Sequence, residues 1–297
     1  MTLRIAFFGA GELAWPYLEV LRSCADAKVI ACCDPDAQFA ERMASQWQAE
    51  LYDVPGTMLT KACPDVLWAC TTSSQLDKIL RQAADQRIAF FVHPPGAKDL
   101  QSAEECAQVV EDANLVTSVG YSTPYRDVTC EAKEYLGENP IPLVVARWIR
   151  EAAFSTLNEL IWHEGASLME ALRFFCGAVK EVRALAAQET EGQACNLHVQ
   201  FQSGTVASCT LSTLAHPKPQ RELELIGVGW SLKFSQNWQQ LHVEEMDKTT
   251  ILKSLRNPVE DHVRAFLEAV INGSPKDVAN GYAESVENLR ICAEAIA

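Results

Sequence analysis

The amino-acid sequence predicts an α/β domain with a doubly wound parallel sheet, followed by an α+β domain with a large antiparallel sheet and packed helices. In the first part of the chain, short apolar runs alternate with helical patterns, as expected when crossover helices cover a parallel sheet. After about Pro124, apolar runs are joined by short turns such as Ser203-Gly204 and Val228-Gly229, which are typical of antiparallel hairpins. A length of 297 residues fits two domains, for which we expect bounds of 1–122 and 123–297.

The elements of the first domain follow from buried runs and helical spacing. Continuous apolar runs are typical of strands that are covered on both faces. The predicted strands are residues 3–9, 29–33, 50–52, 65–70, 88–92 and 115–119. The predicted helices are a segment with Leu13, Tyr17, Leu18 and Leu21 at helical spacing, and residues 37–48, 75–84 and 102–113.

The second domain is predicted to contain one long sheet and a few helices. The predicted strands are residues 143–150, 181–187, 196–202, 205–211, 222–227, 231–235 and 240–245, and the predicted helices are residues 128–136 and 159–175. Two closing helices occupy residues 258–297, and we expect them to pack back towards the first domain. The first of them begins at Asn257-Pro258-Val259-Glu260, which supplies an N-cap, a proline at the first helical position and a reach-back glutamate.

Composition excludes several classes of partner and site. The formal net charge is −14, so phosphates of nucleic acids and anionic lipids are repelled, and neither nucleic acid nor membrane is a predicted partner. The 11 cysteines include no Cys-x-x-Cys pair and are predicted to be reduced core residues of a cytoplasmic protein. No His-Glu-x-x-His motif or clustered ligand spacing is present, so no metal site is predicted.

A glycine-rich turn stands directly after the first strand and opens a helix. Gly9-Ala10-Gly11-Glu12-Leu13-Ala14 matches G-x-G-x-x-A, in which the glycines allow a tight turn and close approach of a pyrophosphate. Asp34 ends the second strand, where an acid accepts hydrogen bonds from the adenosine ribose. Both features predict a dinucleotide site of Rossmann type that contains Gly9, Ala10, Gly11, Glu12, Leu13 and Asp34. The alternative is a glycine turn with a purely structural role.

The residues around Asp34 predict the cofactor. Pro35 and Asp36 follow it, with no Arg or Lys nearby, so a 2′-phosphate would meet two carboxylates. NAD is therefore favoured over NADP. Glu12 must point away from the phosphates, because otherwise its charge weakens their binding.

The order of elements resembles the Gfo/Idh/MocA family of sugar and polyol oxidoreductases. The resembling segments are residues 65–72 (the fourth strand and the family's Ala-Thr-Pro turn), 90–97 (its Glu-Lys-Pro motif), 119–121, 162–170 (its Asp-x-Gly-x-His-x-x-Asp helix start) and 266–273. The resemblance implies that Cys70, Thr71, Thr72, His93 and Pro94 contact the cofactor, and that Tyr121, Arg147 and Ser167 contact the substrate.

The catalytic residues of the family are replaced in this sequence. The position of its lysine holds Pro94, and His93 stands in place of the preceding glutamate. The position of its catalytic histidine holds Ser167, and the aspartate four residues earlier is His163. The resemblance thus implies the scaffold without its usual proton-transfer groups.

His163 is the predicted catalytic residue. It lies at i, i+4, i+7 spacing with Ser167 and Glu170, which places the three on one helical face. The alternative is a capping or core histidine. We expect His163 near the helix N-terminus, where the helix dipole lowers its pKa and keeps it neutral as a base.

The substrate and the subunit state are predicted more broadly. Arg147, Trp148 and Arg150 lie on a strand that forms a cleft wall in the resembling family, so an anionic small molecule is a candidate substrate. Family members usually associate through the open face of the second sheet. One face of strand 205–211 is mildly apolar, and a homodimer or higher homo-oligomer is predicted.

These observations predict an enzyme, an NAD(P)-dependent oxidoreductase of this type that acts on a small molecule but lacks the usual catalytic Lys and His. The first alternative is a dinucleotide-binding regulatory or non-catalytic protein on the same fold, since the family includes a transcriptional repressor of that kind. The second alternative is an enzyme of another class that uses tightly held NAD as an internal redox relay, as glycosidases of the family do.

Overall fold

The computed structural model describes residues 2–72, 74–150, 154–187, 192–214 and 219–297. The chain divides into two compact units. The first contains the residues up to Ser122 together with Asn257–Glu287, and the second contains Thr123–Arg256 together with Asn288–Ala297. Among the described residues, no helix combines the length and the apolar character that a membrane crossing requires.

The first unit is built on a six-stranded parallel sheet, as predicted. Its strands are β1 (Leu3–Phe8), β2 (Ala27–Cys33), β3 (Glu50–Leu51), β4 (Val66–Ala69), β5 (Ala89–Val92) and β6 (Thr117–Val119). The strand order is β3-β2-β1-β4-β5-β6. The order therefore reverses between β1 and β4, and the crevice at the carboxyl ends of these strands is where such sheets bind ligands.

Helices cover this sheet between the strands. They are a 3₁₀ turn at Glu12–Ala14 that continues into α1 (Trp15–Leu21), and then α2 (Ala37–Trp47), α3 (Pro55–Ala62), α4 (Leu76–Asp85) and α5 (Leu100–Asp112). Helix α3 was not predicted from the sequence. This helix is two turns long and begins with Pro55-Gly56, a pair more typical of a turn, and its burial of Met58 and Leu59 is what stabilises it.

A stack of aromatic rings forms the centre of this unit. The Trp68 ring stacks on Phe91 with centroids 4.5 Å apart, and Phe7 stacks on the other side of Trp68 at 5.9 Å. Phe266, from the closing helix Pro258–Asn272, meets the Trp68 ring edge-on at 5.6 Å. The apolar stripe of the closing helix is thus part of the first unit's core.

In its described residues, the second unit contains an eight-stranded mixed sheet, α-helices and the C-terminal part of the last helix of the chain. The helices are α6 (Asp127–Leu136), α7 (Leu157–Leu160) and α8 (Ala166–Cys176). The strands are β7 (Leu143–Ile149), β8 (Val179–Ala186), β9 (Ala194–Phe201), β10 (Val206–Ser212), β11 (Gln220–Gly227), β12 (Trp230–Ser235), β13 (Gln240–Glu245) and β14 (Lys248–Lys253). The predicted fold class is confirmed. Strand β14 was not predicted from the sequence, because its side chains alternate only between exposed and half-buried.

One strand pair departs from the antiparallel pattern. The strand order is β14-β13-β12-β11-β7-β10-β9-β8, and β7 pairs parallel with β10 while its other neighbour, β11, is antiparallel to it. The helices and the β8–β9 hairpin lie between β7 and β10 in the chain, so no hairpin turn dictates their direction. The two remaining helices are α9, the closing helix Pro258–Asn272, and α10 (Tyr282–Ile296).

The predicted start of α9 is confirmed in part. The side chain of Asn257 accepts a hydrogen bond from the amide of Val259 at 3.1 Å, and Pro258 occupies the first turn. Glu260 pairs with Arg264 at 2.8 Å, one turn further along the helix. Glu260 thus forms an ion pair with Arg264 instead of the predicted side-chain hydrogen bond back to the N-cap.

Candidate functional site

The glycine turn after β1 requires its first glycine. Gly9 has a φ of 97°, a conformation that side chains disfavour. A Cβ atom at this position would overlap the carbonyl oxygen of Cys70, at the end of β4. The Gly9 amide also donates to the carbonyl oxygen of Cys33 at 2.9 Å. The turn therefore lies close against the ends of both neighbouring strands.

The second glycine leaves space beside the start of the helix. A Cβ on Gly11 would meet only the Phe39 ring, at an ordinary contact distance of 3.7 Å. Gly11 is the N-cap of the Glu12–Ala14 turn, whose first amides have no partner within the helix. Glu12 and Leu13 are exposed. This arrangement fits the pyrophosphate of a dinucleotide, which accepts hydrogen bonds from such amides.

Asp34 connects the end of β2 to the glycine turn. One carboxylate oxygen accepts a hydrogen bond from the amide of Ala10 at 2.5 Å, and the other accepts from the amide of Asp36 at 2.7 Å. An ionised carboxylate accepts about four hydrogen bonds, so capacity remains for ribose hydroxyls. The bond to Asp36 is an Asx turn, which Asp34-Pro35-Asp36 could have indicated; the bond to Ala10 spans 24 residues and has no local signal.

The predicted cofactor residues of β4 and β5 share the same sheet edge as the glycine turn. The amide of Cys70 donates to the carbonyl oxygen of Phe8 at 2.8 Å, and that of His93 donates to Ala69 at 2.8 Å. Cys70 is buried, Thr71 is half-buried and Thr72 is exposed. The structure thus brings Cys70, Thr71, Thr72, His93 and Pro94 to the carboxyl ends of adjacent strands.

Tyr17 is a residue of this site that the sequence analysis assigned only to a helical apolar stripe. Its hydroxyl lies 3.4 Å from Nδ1 of His93. The Tyr17 ring packs on Phe91 at 5.0 Å, and burial, with a smaller contribution from Cys70, raises the pKa of Tyr17 well above its ordinary value. The hydroxyl therefore keeps its proton. No spacing pattern connects Tyr17 to His93, because the pair forms only when β5 lies beside α1.

Tyr121 offers little surface for the predicted substrate contact. Its side chain is 3% exposed, and its backbone carbonyl accepts a hydrogen bond from the side chain of Asn280 at 3.1 Å. Both residues belong to the first unit. The observed contacts are those of a core residue at the end of this unit's sheet.

In the second unit, His163 lies inside a helix and not at its start. Thr156 caps the helix in a capping box with Glu159, α7 begins at Leu157, and a π-helical turn at Ile161–Gly165 continues into α8. The dipole argument for His163 is therefore wrong. Burial lowers its pKa instead, against the opposing influence of Glu164 and Glu159.

The three polar residues predicted to share one face have separate partners. The His163 ring stacks on Phe154, with centroids 5.3 Å apart and an angle of 17°. The hydroxyl of Ser167 lies 3.5 Å from the backbone carbonyl oxygen of His163 and donates to it. Glu170 is buried and accepts a hydrogen bond from the hydroxyl of Thr123 at 2.6 Å. The π turn adds a residue to this part of the helix, which the regular i, i+4 spacing did not anticipate.

Arg147 lies on the opposite face of the sheet from the helices. It is exposed and alternates with the buried Ala146 and Trp148. The helices cover the Trp148 face, because Gly165 in the π turn packs against Leu211, the residue paired with Trp148 across β10. The structure thus separates Arg147 from Ser167, and its predicted role as a substrate contact with that residue is corrected.

A carboxylate with two arginine partners occupies the helix-covered face. Glu164, in the π turn, pairs with Arg150 at 3.0 Å and with Arg221 at 2.8 Å. The guanidinium carbon of Arg221 lies 4.9 Å from the centroid of the Trp148 ring. Glu164 and Arg221 were not identified from the sequence, because their pairing joins the π turn to β11, which lies far along the chain.

Comparison with known proteins places the first unit in a family. Residues 3–121 match the family model described as an oxidoreductase family with an NAD-binding Rossmann fold, Gfo/Idh/MocA. Over 122 residues the chain is 25% identical to inositol 2-dehydrogenase of Rhizobium meliloti, a match that covers 41% of this chain and 37% of that protein. The chain thus spans a little over a third of this relative's length.

Solved structures share the whole fold. An oxidoreductase from Agrobacterium radiobacter in complex with NAD+, L-tartaric acid and magnesium has a TM-score of 0.85 at 16% identity, with 100% of this chain and 97% of that one covered. Biliverdin reductase from Synechocystis sp. PCC 6803, in complex with biliverdin and NADP+, has a TM-score of 0.84 at 14% identity, with 99% and 98% covered. At these identities the likeness concerns the fold alone.

The family model includes the glycine turn, Asp34 and the carboxyl ends of β4 and β5. The resemblance inferred from the sequence is therefore confirmed. Residues 3–121 match the Gfo/Idh/MocA oxidoreductase family model, and this segment of the first unit is similar to the NAD-binding Rossmann fold of that family.

Proposed function

We propose that the protein is an NAD-dependent oxidoreductase that acts on a small organic molecule without the lysine and histidine of its relatives. The observation that carries the proposal is the bond between Asp34 and the amide of Ala10. It fixes the glycine turn at the end of β1 and leaves a carboxylate beside it. Both are what a dinucleotide with an unmodified ribose needs.

The preference for NAD over NADP rests on charge. A 2′-phosphate would approach the carboxylates of Asp34 and Asp36, the latter being the N-cap of α2. Relatives of the same fold are known in complex with NAD+ and with NADP+, so the fold itself favours neither cofactor. The acidic pair therefore carries this part of the proposal.

Proton transfer must use groups other than the lysine and the histidine of the family. The bound cofactor would supply the hydride chemistry. Pro94 has no side-chain donor, and the hydroxyl of Ser167 donates to a backbone carbonyl. We assign the role of proton acceptor to His163. Its side chain is half-buried, and its lowered pKa keeps the ring neutral and able to act as a base. In the first unit, Tyr17 holds the ring of His93, which we assign to cofactor binding.

A regulatory protein that binds the dinucleotide without turnover is the second candidate. The stacking of His163 on Phe154 favours it, because a ring held by an aromatic neighbour has the contacts of a structural histidine. In that case the helix 157–176 would have a packing role. The two candidates share the cofactor site and differ only in hydride transfer.

Loss of NADH absorbance during incubation with candidate substrates separates the two. The panel should contain conjugated or imine-type acceptors, and inositols and sugars tested with NAD in the opposite direction. We expect turnover with an acceptor that needs little help from a proton donor. In the reverse direction, in which the reduced product is oxidised and His163 acts as the base, His163→Ala should lose about 100-fold, with His163→Gln nearly as slow. NADH binding without any turnover supports the regulatory candidate. Inositol or sugar oxidation at about 1–1,000 per second would contradict the proposed loss of the family's catalytic groups.

A further inference from the structure

A cavity of about 660 Å³ opens in the first unit at the amino end of β2. It is lined by the end of α1, the start of β2 and the end of α2, and its buried lining residues Leu21 and Val29 belong to the core. Small-molecule sites have volumes of roughly 300–1,000 Å³. The glycine turn follows the carboxyl end of the parallel neighbour β1, so the cavity and the dinucleotide site lie at opposite edges of one sheet.

Two cations line this cavity. Arg22 is the C-cap of α1 and Lys28 lies near the start of β2, and both side chains are exposed. Neither forms an ion pair with any residue that the structure describes. The described lining residues include no carboxylate, although the chain has 39 acidic residues against 25 basic ones. The cavity is therefore a positive site in an acidic protein, which favours an anion.

The ends of two helices reduce this positive charge. A helix carboxyl terminus acts as roughly half a negative charge. Both α1 and α2 end at the cavity, where Arg22 and Gln48 are their C-caps. The helix ends therefore offset about one of the two positive charges. The remaining charge matches a monoanion, such as a carboxylate, better than it matches a phosphate monoester of nearly two negative charges.

An indole ring lies beside the cations. Trp47 is the last residue of α2 and is half-buried, and the guanidinium carbon of Arg22 lies 5.4 Å from the centroid of its ring. This contact holds the guanidinium group next to an aromatic surface. Trp47 lines the cavity, so the exposed part of its ring can pack against a planar ring of a ligand. The side-chain amides of Gln46 and Gln48 also line the cavity and can donate or accept hydrogen bonds.

We propose that this cavity binds a small aromatic carboxylate, with its carboxylate group at Arg22 and Lys28 and its ring against Trp47. The planar guanidinium group of Arg22 matches the two oxygens of a carboxylate, and Lys28 adds a point charge. None of the described residues that we assign to the cofactor lines the cavity. The inference therefore does not rest on the proposed function.

Calorimetric titration of the 297-residue chain with benzoate tests the site, with acetate and benzyl alcohol as comparison ligands. Acetate has the carboxylate without the ring, and benzyl alcohol has the ring without the charge. We expect benzoate to bind at a single site and more tightly than either. Its affinity should fall as the ionic strength rises, because salt screens exposed cations. Benzoate should also change the tryptophan fluorescence, and Trp47→Phe should abolish this change.

Variants of the two cations test which groups hold the carboxylate. Arg22→Gln and Lys28→Gln should each weaken benzoate binding about fivefold or more. The matched controls are Arg81→Gln and Lys61→Gln, which remove exposed cations of the same unit outside the cavity and should leave the affinity unchanged. Thermal unfolding must accompany each titration. If Arg22→Gln unfolds, Lys28→Gln and the fluorescence of Trp47→Phe carry the test.

Four results would overturn the aromatic-carboxylate site. They are absence of benzoate binding in the wild type, binding of acetate or benzyl alcohol as tight as that of benzoate, equal weakening by Arg22→Gln and Arg81→Gln, and competition between benzoate and NADH.

NADH titration of the same samples keeps the two proposals apart. Benzoate binding without NADH binding refutes the oxidoreductase proposal alone. NADH binding without benzoate binding refutes the aromatic-carboxylate site alone.

Discussion

The carboxylate of Asp34 accepts a hydrogen bond from the amide of Ala10, 24 residues earlier in the chain. This bond holds the glycine turn against the end of β2. One side chain thus serves both the geometry of the turn and the negative charge that a 2′-phosphate would meet. A change at Asp34 should therefore affect cofactor choice and stability together.

Asp34→Asn should narrow the difference in affinity between NADH and NADPH. The variant keeps one acceptor oxygen but loses the charge, and each unfavourable charge contact is worth about 1–3 kcal/mol, or roughly 5–150-fold in affinity. Titration of both cofactors into both proteins measures the change. Asp65→Asn is the matched control. The carboxylate of Asp65 accepts a hydrogen bond from the amide of Arg4 at 2.8 Å, and Asp65 stands just before β4, at the opposite end of the sheet. An equal change in cofactor preference in both variants would show that the charge of Asp34 does not set the preference for NADH over NADPH.

Gly9→Ala should destabilise the protein and abolish NADH binding. The new Cβ would overlap the carbonyl oxygen of Cys70, in addition to the strain of a φ of 97°. Gly204→Ala is the control, since Gly204 has a φ of 90° but no neighbouring atom within 4 Å. We expect a cost of about 1–2 kcal/mol in the control and clearly more in Gly9→Ala. Thermal unfolding gives both values, and equal costs would show that the close approach to β4 is unimportant.

Tyr17→Phe should weaken NADH binding with only a modest loss of stability. The variant removes the hydroxyl beside Nδ1 of His93 and with it the preferred orientation of that ring. Tyr282→Phe removes another buried hydroxyl, which donates to the carbonyl of Gly96 at 3.3 Å. Each variant should cost about 0.5–1.5 kcal/mol of stability. In spectra of ring-labelled histidine, Tyr17→Phe should produce the larger shift of the His93 signals. Unchanged His93 signals in this variant would contradict the contact.

The free energy of unfolding should fall as the pH falls below neutral, with His262 as one cause. His262 is 2% exposed, its Nε2 lies 2.7 Å from the hydroxyl of Ser118, and burial lowers its pKa to about 3. Below the ordinary pKa of about 6.5 the unfolded chain binds a proton that the folded chain excludes until about pH 3. His262 should therefore contribute a loss of about 1.4 kcal/mol per pH unit in this window.

Denaturant unfolding of the wild type and of His262→Gln at pH values across this window measures the contribution of His262. The variant should be less stable near neutral pH, because it disturbs the bond to Ser118, but it should lose stability less steeply on acidification. Parallel pH dependence in the two proteins would show that the ring titrates normally in the folded state. The curve of the variant then reports the remaining groups, which include His163 with its lowered pKa.

The first unit could be predicted closely from the sequence because its central strands are buried on both faces. Uninterrupted apolar runs such as those of β4 and β5, whose residues are all buried, are typical of covered strands. The glycine turn and Asp34 were also predictable, since their spacing along the chain carries the signal. The short helix α3 was not, because its stability comes from tertiary packing of Met58 and Leu59.

Contacts between distant segments account for what the sequence did not predict. The pairing of β7 with β10, the contact of Tyr17 with His93 and the bridge from Glu164 to Arg221 each depend on the finished fold. The π turn at Ile161–Gly165 disturbs the helical periodicity on which the prediction for His163 relied. Arg147 was predicted to line the same cleft wall as Trp148, but side chains alternate along β7, so the two lie on opposite faces of the sheet.

Titration of the wild-type protein with NADH and with NADPH by calorimetry tests the central claim most directly. The glycine turn, the space beside Gly11 and the carboxylate of Asp34 predict saturable NADH binding at a single site. NADPH should bind about 5–150-fold more weakly. Equal affinity for the two cofactors, tighter binding of NADPH, or no binding of either would contradict the account.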